Sequence, residues 1–173
     1  MSDSSRWLIR PASLLDAPTI AHFLYVLHEE RLPTLFVKDT PPTIEDEIQF
    51  LKVTYSKPNS AVFLAFEGPT LAGMLDFHTH NPKQMTHTGE FGLTVSPDFR
   101  NQGLGTTMLH YLVDWAQKHP PLRRLELGVF SNNPDAYRLY KRFGFVEEGR
   151  KIGAVLVEDE YIDLILMAYT LNT

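Results

Sequence analysis

Cysteine is absent from this 173-residue chain, which excludes disulfides, thiolate metal sites and any acyl transfer through a thioester on the protein. Apolar runs stay far below the roughly 18 residues that span a bilayer. Residues 1–5 carry neither the charged nor the apolar region of a signal peptide, so a cytoplasmic location with no membrane partner is expected. Basic residues cluster only in short pairs such as Arg123-Arg124 and Lys141-Arg142, and 16 Lys and Arg against 21 Asp and Glu leave a net charge of −5. Nucleic acid is therefore not an expected partner, and a mildly acidic surface favours a cationic amine. No internal repeat, low-complexity tract or linker interrupts the sequence. Its length and 43% apolar content fit one globular domain over residues 1–173.

What the chain does have is a glycine turn between a strand and a helix. Phe91, Leu93 and Val95 alternate with small or polar neighbours, as a half-buried strand requires. After the turn, Leu104, Met108, Leu112 and Trp115 recur at helical spacing, and the helix ends before Pro120-Pro121. Gly103 and Gly105 lack a Cβ, so the backbone can approach a ligand while the free N–H groups of the new helix point at it. A phosphate or pyrophosphate is the natural guest. No lysine follows the last glycine, which excludes a Walker loop, and Met108 stands where a dinucleotide fingerprint needs its third glycine.

A second block follows. Residues 125–130 read as a strand, Asn133-Pro134 opens a short helix through Phe143, and Gly144 closes it. Arg100-x-x-Gly103-x-Gly105, together with Asn133-x-x-Ala136-x-x-Leu139-Tyr140-x-x-Phe143-Gly144-Phe145, resembles the GCN5-related N-acetyltransferases over roughly residues 6–170. The later segments 144–150 and 160–167 resemble the branch of ribosomal-protein alanine, polyamine and amino-acid acetyltransferases. Many members have glycine before the Tyr-x-Asp segment, where this chain has Asp159-Glu160.

The resemblance implies an α/β fold with a mixed, mostly antiparallel seven-stranded sheet, splayed between its fourth and fifth strands and flanked by about four helices. It implies acetyl-CoA as co-substrate, its pantetheine arm between those strands and its pyrophosphate on the glycine turn. Leu93, Val95, Arg100, Asn101, Gln102, Gly103, Leu104, Gly105, Thr106, Asn133 and Tyr140 are the expected cofactor contacts. Members often pair as dimers through their C-terminal strands, so a homodimer is compatible with it.

The remaining chain reads coherently. Residues 7–10 form a first strand, and Asp16 caps a helix with Pro18 in its first turn. Residues 32–42, with three prolines, are irregular, and Thr43 with Asp46 caps a second helix whose Ile44, Ile48, Leu51 and Tyr55 face inward. Residues 61–67 and 71–80 make a hairpin.

An amine acceptor is only about one part in 10³ free base at neutral pH, so transfer needs a base, a water chain or a desolvating pocket. Glu90, on the strand flanking the thioester, is the candidate base if its neighbours desolvate it, and a surface carboxylate if they do not. Asp76, His78 and Glu126 are rivals. The resemblance places a backbone N–H near Val95 on the developing oxyanion and Tyr140 beside the departing sulfur. Tyr140 also belongs to an apolar stripe with Ala136, Leu139 and Phe143, Asn133 also suits a plain helix cap, and Arg100 is either a phosphate partner or a solvated cation. His78, His80 and His87 match no metal motif, so no metal is expected. Phe36, Phe77 and Tyr161 would suit an apolar amino acid, and Glu47, Asp76 and Glu90 a polyamine. Apart from a transferase, an acyl-CoA binding or sensing module would keep Gly103, Gly105 and Asn133 without needing Tyr140 or Glu90.

Overall fold

Alternating apolar residues build the centre of the molecule, one set on each face of a sheet. The computed structural model describes residues 6–34 and 39–171. In chain order these form β1 (Leu8–Pro11), α1 (Ala17–Glu30), α2 (Ile44–Tyr55), β2 (Ala61–Glu67), β3 (Thr70–Thr79), β4 (Thr88–Val95), α3 (Leu104–Gln117), β5 (Arg124–Phe130), α4 (Pro134–Phe143), β6 (Val146–Val157) and β7 (Glu160–Thr170). The sheet order is β1-β2-β3-β4-β5-β7-β6. Every pairing is antiparallel except β4 with β5.

Along β2, Phe63 and Ala65 pack towards α3 with Phe77, Leu104, Met108 and Leu112. Their neighbours Val62 and Leu64 pack towards α1 and α2 with Ile20, Phe23, Leu27 and Leu51. A sheet buried on both faces needs this double set of apolar side chains.

The sheet opens where the sequence resemblance places the cofactor arm. Strands β3 and β4 stay in register from Gly73↔Val95 to Thr79↔Gly89. Strands β4 and β5 pair only from Thr88↔Arg124 to Glu90↔Glu126 and then part. Beyond that point β5 is held by β7 along its whole length.

Local details depart from expectation in three places. Asp16 stands at the N-cap of α1 without capping it, because its carboxylate accepts two hydrogen bonds from Arg10, at 2.6 and 2.8 Å, and one from the Ser13 amide. Thr43 and Asp46 do form the reciprocal box on α2. That helix turns Glu47, Leu51 and Thr54 inward, while Ile44 and Tyr55 remain about half exposed. The Tyr55 hydroxyl reaches the Ala12 carbonyl at 2.7 Å, which fixes the helix by its polar tip. At the β6–β7 turn, Val157↔Glu160 leaves a two-residue loop in which Glu158 and Asp159 both take positive φ, 47° and 68°. Such a turn ordinarily favours Asn-Gly.

Candidate active site

The opening between β4 and β5 is lined by main-chain groups. Ser96 donates to the Ala72 carbonyl at 2.9 Å. In an antiparallel ladder the hydrogen-bonded residues alternate, so Thr94 also faces β3 while Leu93 and Val95 turn their N–H and C=O groups into the gap. Below it, Gly103 adopts φ 88°, a left-handed conformation that starts α3 at Leu104. The first intrahelical bond runs from the Thr107 amide to the Gly103 carbonyl, leaving the N–H groups of Leu104, Gly105 and Thr106 without an intrahelical acceptor. A cavity of about 640 Å³ lies over these groups, bordered on its far side by Asn133, Ala136 and Tyr140. A Cβ on Gly105 would stand 3.0 Å from the Leu139 side chain. The turn, the free amides and the positive end of the helix dipole fit a pyrophosphate.

Of the expected cofactor contacts, Leu93, Val95, Arg100, Asn101, Gly103, Leu104, Gly105, Thr106, Asn133 and Tyr140 border this cavity. Gln102 is outside its lining, because its side chain donates to the Asp98 carbonyl and accepts from Arg6. Arg100 is neither free nor turned to the turn's amides: its guanidinium forms a two-pronged pair with Glu30 of α1, and its Nε donates to the Val95 carbonyl at 3.0 Å. It ties the edge of the gap to α1. The Asn133 side chain accepts from the Ala136 amide at 3.2 Å, which is the capping role.

A second cavity of about 570 Å³ opens on the α1–α2 side of the sheet and meets the first at Thr34, Leu93, Thr94, Asn133, Ala136 and Tyr140. Tyr140 is 7% exposed, with its ring against Phe91 and Phe145 at centroid distances of 6.0 and 5.7 Å. Burial pushes its phenol above the ordinary tyrosine range, so it holds its proton at neutral pH.

Glu90, Asp76 and His78 all line the second cavity. Glu90 is solvent-exposed, contrary to the partly desolvated base expected of it, because its side chain projects into the open second cavity while its neighbour Phe91 points into the core on the other face. Asp76 Oδ2 accepts a hydrogen bond from His78 Nε2 at 2.9 Å. Glu126 is not in this cavity: Arg124 and His80 hold its carboxylate. Among the described residues no group of histidines and carboxylates has the arrangement of a metal site.

Of the aromatic residues expected to recognise an apolar acceptor, Phe77 is fully buried in the core and Tyr161 is 76% exposed away from the cavity. Phe36 lies outside the described residues. Instead, Phe50, Phe91 and Phe130 line the cavity, together with Leu24 and His28 from α1. Phe50 lies one turn beyond Glu47, and its helical spacing from that cavity residue is the only sequence signal that pointed there.

A family model described as the acetyltransferase (GNAT) family matches residues 23–145. The L-amino acid N-acetyltransferase AaaT of Escherichia coli K12 is 28% identical over 98 residues, 57% of this chain, and the chain spans 60% of that protein's own length. The ribosomal-protein-serine acetyltransferase of the same organism is 25% identical over 136 residues, covering 79% of this chain and 73% of that protein. An acetyltransferase of the GNAT family from Streptococcus pneumoniae superposes with a TM-score of 0.85 at 31% identity, covering 95% of this chain and 99% of that one. The yncA acetyltransferase structure from Salmonella typhimurium, which contains its cofactor acetyl-CoA, has the same fold at 20% identity and a TM-score of 0.85, covering 96% and 95%. On these matches, and on the open sheet they share with it, the chain belongs to the acetyltransferase (GNAT) family.

Proposed function

We propose that the protein is an acetyl-CoA-dependent N-acetyltransferase that transfers the acetyl group directly to a primary amine of an amino acid or polyamine, or to a peptide N-terminus. The observation that carries this reading is the meeting of two cavities at Tyr140, one built for an anion and one lined by carboxylates and aromatic rings. Acetyl-CoA supplies an acetyl thioester. The free amides of Leu104, Gly105 and Thr106 hold its pyrophosphate, and the Leu93 main-chain groups that face the gap hold its amide-bearing arm.

As the acceptor nitrogen bonds to the carbonyl carbon, charge grows on the carbonyl oxygen, and the Val95 N–H at the gap is the main-chain donor assigned to it. The carbon–sulfur bond then breaks and the sulfur leaves as a thiolate. A free thiol has a pKa of about 8.5 and an ordinary phenol about 10, and burial raises Tyr140 further. Full proton transfer from Tyr140 is therefore uphill, and its hydroxyl serves the thiolate as a hydrogen-bond donor. The proton lost by the acceptor leaves through the carboxylate-lined second cavity.

Thiol release from acetyl-CoA tests the reading, with L-leucine, spermidine and an alanyl peptide as acceptors and Tyr140→Phe in parallel. Turnover that the substitution lowers is expected. Tight acetyl-CoA binding with no turnover of any amine would instead favour a binding or sensing module.

A further inference from the structure

Asp76 and Gly92 face each other across β3 and β4, two residues beyond the point where β4 leaves β5. A Cβ built on Gly92 would stand 2.9 Å from Asp76 Oδ1, so the carboxylate lies over the glycine in space that any other residue would fill. Gly92 has no left-handed backbone, so conformation does not require glycine here; the room above it does. The other oxygen, Oδ2, is 2.9 Å from His78 Nε2, and the His78 ring is braced edge-on by Phe50 of α2 at 5.7 Å. Among the described residues Oδ1 has no protein hydrogen bond. Asp76 and Gly92 line the second cavity beside Leu93 and Thr94, which also border the first.

We infer that Asp76, laid over Gly92 and held by His78, receives the protonated amine of the acceptor and sets it beside the open end of β4. This rests on the transferase reading above. A half-buried carboxylate with one oxygen held and one free is a monodentate anchor for an ammonium, and the charge-assisted bond it makes is stronger than a neutral one. Glu90 sits across from His78 but is solvent-exposed, and Glu126 is spent on Arg124 and His80, so neither offers a comparably placed free oxygen. His78 acts through Asp76 and is a positioning residue.

Steady-state kinetics with acetyl-CoA and whichever of spermidine, L-leucine or an alanyl peptide the wild-type protein turns over fastest would test this. Asp76→Asn keeps the shape and removes the charge, and is expected to raise the acceptor KM about 10- to 100-fold, with acetyl-CoA affinity by calorimetry within about twofold of wild type. Gly92→Ala keeps the Asp76 charge but puts a Cβ 2.9 Å from Oδ1, so that oxygen must move off its site, and is expected to raise the same KM about tenfold or more. The double variant is expected to be no worse than Asp76→Asn alone, since both changes remove one contact. His78→Leu should raise the KM as well, and His78→Gln, which can still donate to Asp76, should restore most of it. An acceptor KM unmoved by Asp76→Asn, or additive effects of Gly92→Ala and Asp76→Asn, would overturn the assignment while leaving the transferase intact. Wild-type protein that binds acetyl-CoA and acetylates none of the three amines would overturn the transferase reading and this assignment with it.

Discussion

The two cavities that meet at Tyr140 are made of different material. The anion side is main chain: the strand amides of Leu93 and Val95, a left-handed glycine and the first turn of α3, all within fifteen residues of one another. The opposite side is side chain, gathered from α1, α2, β3, β4, β5, α4 and β7. Groups close in sequence are placed by local conformation, whereas groups far apart are placed by sheet register and helix packing. The first cavity is consequently rigid in design and general in what it holds. The second is specific and easily changed.

The sharpest way to break this division is at Gly103. A β-branched side chain at φ 88° is strained by about 1–3 kcal/mol, and Gly103→Val is expected to weaken acetyl-CoA binding about 10²- to 10³-fold by calorimetry as the turn reshapes. Next in size, Tyr140→Phe should lower kcat by about 10²-fold or less while leaving acetyl-CoA affinity within about twofold. A comparable loss of affinity would show that the wall between the cavities belongs to the first of them, and a loss of kcat under about threefold would remove the hydroxyl from the reaction.

The same contrast can be sharpened away from the cavities. Asp16 is a side-chain device: the hydrogen bonds from Arg10, opposed by burial and helped by Ser13, hold its carboxyl down at about 2. A lowered carboxylate stabilises the fold above its unfolded value of about 3.9 and loses that contribution as pH falls through the folded one. Asp16→Asn should therefore cost on the order of 1–2 kcal/mol in denaturant unfolding at pH 7, and the difference from wild type should close between about pH 4 and pH 2. The β6–β7 turn is a main-chain device with poorly suited residues in it, since Glu158 does not favour positive φ and Asp159 tolerates it less well than glycine. Replacing the pair by Asn-Gly is expected to add about 1 kcal/mol of stability, read as a rise in Tm with kcat unchanged.

Much of this was legible before the structure. The order of strands and helices followed from period-two and period-3.6 patterns and from caps at Thr43, Asn133 and Gly144, all set by neighbours within a few residues. The glycine turn was legible for the same reason. Arg100 was not: its partner Glu30 lies 70 residues away, and nothing near Arg100 announces it. The neighbours of Glu90 in sequence suggest partial desolvation, while its exposure follows from the open cavity that its face of β4 borders. The inward face of α2 was misjudged by part of a turn because Tyr55, apolar in its ring, is anchored by its hydroxyl to the Ala12 carbonyl. Asp76 was visible only as one of several acidic residues, since its place over Gly92 is a product of the β3–β4 register.

The parting of β4 from β5 has one more consequence, for inheritance. Recognition by strand and helix amides does not depend on the letters of the sequence, so almost every side chain around the gap can be exchanged while the carrier is still held. The acceptor side has no such protection, because each of its groups is a single codon. Drift in a chain of this shape therefore changes who receives the acyl group long before it changes who delivers it.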